Sequence, residues 1–322
     1  MKKLFFLIMV SIMVVSCKNE EVVGIEDTTI QEIISQKETG KKMLHFGNVD
    51  ELKSFINEKV EGETDFLDEA RKYSEQGVYN PLLLVYNLEA AEAKELGIEE
   101  KAVPTVASDD DMLLLMLNES GEIGIEDKIF RIDGDFVYTY SEGSGNHIDE
   151  FNEAYKAGEI RMERGDTYKF SKELSVYMHN NVKVEEESAR NQTSYGYFSS
   201  NYRMRARQFN GFWGFYSSIG ANTKVEKRKR VWWWYNWNTV KTYNRLEYNV
   251  EYKAESTMGF PTLYLSDSGG VYPYANQAQK IYAWSVGFPL APEIYTPLGG
   301  QTKHWAHWYT TPVNTVSITL NY

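Results

Sequence analysis

Cysteine is almost missing from this chain. Cys17 is the single one in 322 residues, which excludes an intramolecular disulfide as a source of stability and leaves an odd thiol to be explained. Histidine is scarce as well, with five copies. The one close pair, His304 and His307 in "KHWAHW", has no carboxylate beside it, and the neighbouring Pro297, Gly299, Gly300 and Pro312 mark loop or strand, so the sequence points to no metal site there. Acids are few at the C-terminal end. Residues 191–322 contain six, and the pair Glu247 and Glu251, on one face of a strand, would stand ~13 Å apart at ~3.3 Å per residue. Paired-carboxylate glycoside hydrolysis needs ~5–9.5 Å, which leaves only partners on different strands. No apolar run approaches the roughly 20 residues of a membrane-spanning helix; the run at Leu4–Val15 has twelve.

That short run is informative. Residues 1–17 read "MKKLFFLIMVSIMVVSC": Lys2 and Lys3 form a basic start, the twelve-residue stretch has the length of a secretory core, and the polar "KNEEVVGIEDTT" follows at once. Val14, Val15, Ser16 and Cys17 resemble the lipobox of bacterial lipoproteins, in which the signal is removed before the cysteine and its thiol is acylated. The acidic "KNEE" behind the cysteine is similar to the export tags of Bacteroidota surface lipoproteins, and "DTT" at Asp27–Thr29 to an O-glycosylation site of that phylum. The resemblance implies an exported protein, anchored in the outer membrane through Cys17 and facing the cell exterior.

Charge divides what remains. Residues 17–150 carry 12 basic and 32 acidic side chains, net −20; residues 151–190 carry 7 and 8; residues 191–322 carry 13 and 6, net +7. The segments are read as a signal peptide (1–16), a flexible tether (17–45), a small α+β region (46–160), a charged linker (161–190) and an antiparallel β-domain (191–322).

The periodicities support that α+β reading. In "NVDELKSFINEKV", Asn48 can cap a helix with Glu51 three positions on, and Leu52, Phe55 and Ile56 share a face; "TDFLDEARKYSEQG" continues until Gly77. "KIFRIDGDFVYTYS" alternates on both sides of Asp133–Gly134, a hairpin pattern. The wider "LNESGEIGIEDKIFRIDGD" is similar to an element that recurs in uncharacterised surface lipoproteins of Bacteroidota, and it covers about 30 residues. "IDEFNEAYKAG" predicts a short helix ended by Gly158. From there strands dominate: "NRLEYNVEYKAE" sets Leu246, Tyr248, Val250 and Tyr252 against Arg245, Glu247, Asn249 and Glu251, and "VSITLNY" alternates Val316, Ile318, Leu320 and Tyr322. Such runs over some 130 residues fit an aromatic-rich sandwich or a small barrel. A membrane barrel is disfavoured, because "YRMRARQ" offers no continuous apolar face to lipid.

The most unusual stretch is "KVEKRKRVWWWYNWNTVKTYNR" (224–245), with four consecutive basic residues before four of the eight tryptophans. Read as one strand over 225–235, it places Arg230, Trp232 and Trp234 on one face. The first reading is that the central tryptophans fill the core while the basic end runs past the sheet edge and guards it; the second makes these three the candidate ligand-binding residues, a platform on which indoles offer a π-face to sugar C–H groups or cations. Basic and aromatic residues could also take single-stranded nucleic acid, but the envelope address argues for glycan or surface protein and against nucleic acid.

No catalytic residue or cofactor is evident. "SDSGG" (266–270) is similar to the nucleophile segment of chymotrypsin-like proteases but has Ser266 where glycine is expected, and it reads as a Ser/Gly turn. "SDDDM" (108–112) and "DGD" (133–135) lack calcium-loop spacing and read as solvated acidic turns. The favoured function is a non-enzymatic binding or adhesion module; a structural subunit of an envelope assembly, or a hydrolase whose site is scattered through the sequence, are the alternatives.

Mass spectrometry of the native polypeptide is expected to find Cys17 as its acylated first residue, and Cys17→Ser to abolish fatty-acid incorporation. Detection of the first sixteen residues intact without a fatty acid would overturn the anchor.

Overall fold

The computed structural model describes residues 42–62, 64–88, 90–98, 103–106, 108, 110–179, 192–231, 234–308 and 314–322, with only the backbone at 90–91, 230–231 and 234–236. Cys17, the signal segment 1–16 and residues 17–41 of the tether lie outside them.

The helices of the first half follow their capping signals. In α1 (Val49–Glu61), Asn48 accepts the Glu51 N–H while the Glu51 carboxylate accepts from Gly47 N, and Leu52, Phe55 and Ile56 are buried. Asp65 caps α2 (Phe66–Glu75), and Gly77, at φ +67°, closes the turn beyond it in the left-handed conformation glycine favours. Short helices α3 (Leu82–Val85), α4 (Ala90–Glu95) and α5 (Asp111–Met116) follow, and α6 (His147–Lys156) comes after the hairpin.

These helices accompany a six-stranded sheet of β1 (His45–Phe46), β2 (Glu122–Ile125), β3 (Lys128–Asp133), β4 (Phe136–Ser141), β5 (Thr167–Lys169) and β6 (Leu174–Met178), in the order β1-β2-β3-β4-β6-β5. The expected hairpin is β3–β4, with Gly134 at positive φ in its turn. Two assignments made from sequence are corrected. The presumed linker 161–190 contributes β5 and β6, since Leu174, Val176 and Met178 are buried in the sheet and only their charged surroundings disguised the alternation. The fold also begins inside the presumed tether, at Met43 and Leu44, both buried.

The C-terminal half is an antiparallel sandwich. One sheet joins β7 (Thr193–Ser199), β8 (Tyr202–Phe212), β9 (Tyr216–Val231) and β10 (Trp234–Val240); the second holds β11 (Thr242–Ser256), β12 (Leu263–Val271), β13 (Tyr274–Ala275), β15 (Glu293–Trp308) and β16 (Asn314–Asn321), while β14 (Gln277–Val286) belongs to the first. The strand β9 is long enough to pair with β14 along Tyr216–Lys224 and with β10 along Val225–Val231. Both sheets are open, in the order β7-β8-β9-β10 and β12-β11-β15-β16. Their inner faces meet through Met204, Val225, Ile219, Leu246, Val250 and Ala306. The alternation in "NRLEYNVEYKAE" appears as expected, with Leu246, Val250 and Tyr252 buried and Arg245, Asn249 and Glu251 exposed.

The two halves share one core. Phe209, Phe212, Trp213, Phe215, Tyr216 and Val286 of the sandwich pack with Leu52, Phe66, Leu82, Leu113, Phe130 and Val137 of the first half. Polar ties cross the same junction. The end of the "SDDDM" segment is buried, contrary to its reading as a solvated turn: Asp110 and Asp111 are each 1% exposed. Asp110 caps α5 by accepting the Met112 N–H at 2.9 Å, and its other oxygen accepts from the Tyr216 and Ser218 hydroxyls at 2.6 Å each. Burial pushes the Asp110 carboxyl above the usual carboxylate range, although all three donors oppose the shift. Asp111 takes the Lys224 ammonium at 2.6 Å, with both side chains enclosed.

A buried charge left without its partner is far more costly than the pair itself. Lys224→Met is therefore expected to lower the urea-measured stability by ~3–5 kcal/mol, and Asp111→Leu with Lys224→Met to recover most of the loss.

Candidate functional site

The tryptophan-rich stretch forms a hairpin, which corrects the single strand expected over 225–235. The strand β9 ends at Val231 and β10 begins at Trp234, and these two residues pair. The reversal moves Trp234 into register with Val231, on the opposite side of the ribbon from the Arg230↔Tyr235 pair. Arg230 and Trp234 therefore do not share a face. Trp232 lies outside the described residues, as do the side chains of Arg230 and Trp234.

A described aromatic surface lies on the same sheet. Tyr195 and Tyr197 point outward from β7, because Gly196 between them faces inward, where a side chain would strike Val316. Beside them the Arg203 guanidinium sits 4.1 Å from the ring centroid of Tyr195 and 4.1 Å from that of Trp237. Its Nε donates to Glu226 at 2.6 Å, and Arg205 is 3.4 Å from the same carboxylate. Tyr197 meets Trp237 edge-on at 6.4 Å. Tyr195 and Tyr197 are 43% and 59% exposed. The result is a ladder of two tyrosines, an arginine and an indole, held in one orientation by a buried glutamate. The alternation in "TSYGYF" carried the signal for its tyrosines, but its pairing with Trp237 depends on β7-β8-β9-β10 adjacency that no local pattern shows.

A second aromatic–cation stack lies on the other sheet. The Arg245 guanidinium is 4.8 Å from the Tyr272 ring and 4.7 Å from the Trp305 ring, and it pairs with Glu247. Glu247 is thus engaged by Arg245 and by the Tyr272 hydroxyl at 3.2 Å. "SDSGG" is not a turn but the outer strand β12, in which Ser268 stands opposite Asn249. Its glycines have a steric purpose: a Cβ on Gly269 would come within 2.6 Å of the Tyr248 hydroxyl, and one on Gly270 would collide with Tyr272.

Between the halves lies a cleft of ≈ 510 Å³. Its floor is β14, with Gln277, Gln279 and Ile281; one wall is the α1–α2 turn around Thr64 and Asp65, and Tyr248 and Tyr272 line the other. The turn is pinned beside it. Asp65 accepts the backbone N–H of Asn276 at 2.9 Å, while the Asn276 side-chain amide donates to Asp68 at 2.8 Å. Lys241 reaches Asp68 at 3.0 Å from the far side.

The two histidines of "KHWAHW" are on β15, three positions apart in a strand and so on opposite faces. His307 is exposed and bonds Thr315. His304 is fully buried inside the sandwich, 2.8 Å from Thr223 Oγ1 through Nδ1 and 2.7 Å from Thr302 Oγ1 through Nε2. The Gln208 amide donates to Thr302 at 3.0 Å, which completes a polar chain linking β8, β9 and β15. Among the described residues no group of three or more His, Cys, Asp or Glu side chains converges to hold a metal ion.

Burial pushes the His304 imidazole down to about 3. The unfolded chain then binds the extra proton first as pH falls below ~6.5, so the contribution of neutral His304 is complete at pH 7 and is lost on acidification towards pH 3. Wild-type unfolding free energy is expected to fall between pH 6.5 and 4 more steeply than that of His304→Gln, by up to ~1.4 kcal/mol per pH unit; parallel curves in urea titrations would refute the assignment.

No protein-family model matches this sequence, and no curated protein is significantly similar to it.

Proposed function

We propose that this protein is a lipid-anchored, surface-facing binding module that takes glycan on the outer face of β7-β8-β9-β10. The observation that carries this reading is the ladder of Tyr195, Arg203, Trp237 and Tyr197. Rings fixed by a shared guanidinium and an edge contact have little rotamer freedom left to lose, and aromatic side chains so fixed suit the C–H faces of sugar rings. Glu226 holds Arg203 in place before any ligand arrives. The lipobox resemblance at Cys17 supplies the address, and the net charge of +7 over 191–322 keeps this face compatible with anionic envelope polymers.

A structural subunit of an envelope assembly is the second reading, favoured by a different surface. The strand β12 is a sheet edge; the segment entering it leaves Met258 and Phe260 each 66% exposed, and Tyr264 within it is 75% exposed. Open edges flanked by apolar groups are natural sites for another chain.

Glycan-array binding by the full chain is expected to drop about tenfold or more, ~1.4 kcal/mol, in both Trp237→Ala and Tyr197→Ala, with unchanged circular dichroism. Undiminished array binding by both variants would reject the ladder as the site.

A further inference from the structure

One end of the second sheet carries an apolar tip. The eleven residues 256–266, "STMGFPTLYLS", run from the last residue of β11 into β12 without a charge, between Glu255 and Asp267. Met258 and Phe260 stand at the turn, and Leu263 is 52% exposed although it faces inward opposite the buried Ala254. Leu265 shares that face, and Tyr264 is bare on the other. Leu290 is exposed on the neighbouring loop, to which the tip is tied by the Thr257 N–H donating to Pro292 O at 2.8 Å. Single exposed apolar side chains are ordinary; a cluster of this size marks an interaction site.

The shape of the tip selects what it meets. Its apolar groups leave both faces of the hairpin, whereas another protein chain would cover one face. Asp267, inward-facing opposite the buried Val250, is also the kind of charge that hinders a further strand from adding to β12. A fluid apolar medium surrounds a protruding loop on every side. The chemistry is graded along the hairpin as well: Met258, Phe260 and Leu263 come first, then Tyr264, a residue type at home at a membrane–water boundary, opposite Lys253, which pairs with Glu255 at 2.9 Å. Polar groups of the turn are engaged within the protein. Thr257 Oγ1 donates to Ala291 O at 2.9 Å, the Met258 N–H donates to Ser256 Oγ at 3.1 Å, and Pro261 brings no N–H. Insertion to the ~5–10 Å typical of interfacial segments buries the apolar side chains and leaves the Lys253–Glu255 pair in water.

We propose that this tip inserts into the surface of a phospholipid bilayer and sets the direction in which the molecule faces. Only the nearness of a membrane is taken from the lipid-anchored reading. Ile219 of β9 packs with Ala254 and Tyr295 at the tip end, whereas Val225 packs with Ala306 and Val316 further along the sandwich. Glu226 and Arg228, paired with Arg203 and Trp237, lie beyond Val225, ~23–30 Å along the strand from Ile219. Seating the tip therefore turns the ladder end of the sandwich away from the lipid.

Vesicle sedimentation tests this with a chain that starts at residue 17, contains every described residue, and carries Cys17→Ser so that no acyl group contributes. On dioleoylphosphatidylcholine vesicles a partition constant of about 10³ M⁻¹ is expected, below the ~10⁴ M⁻¹ of a single myristoyl chain. Phe260→Ser with Leu263→Ser should weaken it by about tenfold or more without moving the urea midpoint, since both side chains are exposed; Leu96→Ser, at an exposed leucine just past α4, should leave it unchanged. Amide hydrogen exchange over residues 257–265 should slow when vesicles are added. The proposal is overturned if the chain stays in the supernatant at about 10 mM lipid, if the double variant sediments like wild type, or if protection by vesicles falls only elsewhere. A dimer found without vesicles and missing from the double variant would give the tip to a second copy and overturn it too. With no acyl group present, none of these outcomes bears on whether Cys17 is acylated, which mass spectrometry decides separately.

Discussion

Two consecutive carboxylates inside the protein set the relation between its halves. Asp110 and Asp111 are buried at the start of α5 and have side-chain partners across the junction in the sandwich: Tyr216 and Ser218 hydroxyls for the first, the Lys224 ammonium for the second. All three partners are on β9. A buried ionised or hydrogen-bonded acid tolerates little displacement, because any widening of these contacts leaves polar atoms unpaired in a low dielectric. The first half is thereby fixed in position along β9, and the apolar surfaces of Phe209, Trp213 and Phe215 are covered in one register. The cleft, which has one wall from each half, inherits its shape from this arrangement.

The candidate surfaces follow from how β9 is shared. Its N-terminal part is flanked by β14 and covered by helices, so the outer face there is interior. Its C-terminal part pairs with β10 instead, and the face that carries Arg203, Trp237 and the tyrosines of β7 is open. One long strand thus passes from core to display surface. In the second sheet, small residues do a comparable job: Gly269 and Gly270 let Tyr248 and Tyr272 lie close over β12.

Much of this architecture was legible in the sequence where a signal was local. The Asn48/Glu51 box, the Asp133–Gly134 turn and the alternation of Leu246 to Tyr252 each depend on neighbours a few residues away, and each appears where expected. What was illegible depended on distant partners. "SDDDM" is indistinguishable from a surface turn until Lys224, 113 positions on, is seen beside Asp111. The arithmetic of side-chain alternation misplaced Trp234 because β10 runs antiparallel to β9 and sets Trp234 opposite Val231 rather than in line with Arg230. The strands β5 and β6 were hidden by the charged residues around them: β5 is exposed throughout, while β6 buries Leu174, Val176 and Tyr177.

The common core has a practical implication for anyone dividing the chain. The composition changes sharply near residue 190, and a boundary there looks inviting. Yet severing the polypeptide at that point would strip Phe209, Trp213 and Phe215 of their cover on one side and Leu113 and Phe130 on the other. Each fragment would expose these side chains as a contiguous apolar surface, the kind that drives association. The acidic and basic halves are therefore one cooperative folding unit, and expression trimmed to either alone would be a route to inclusion bodies.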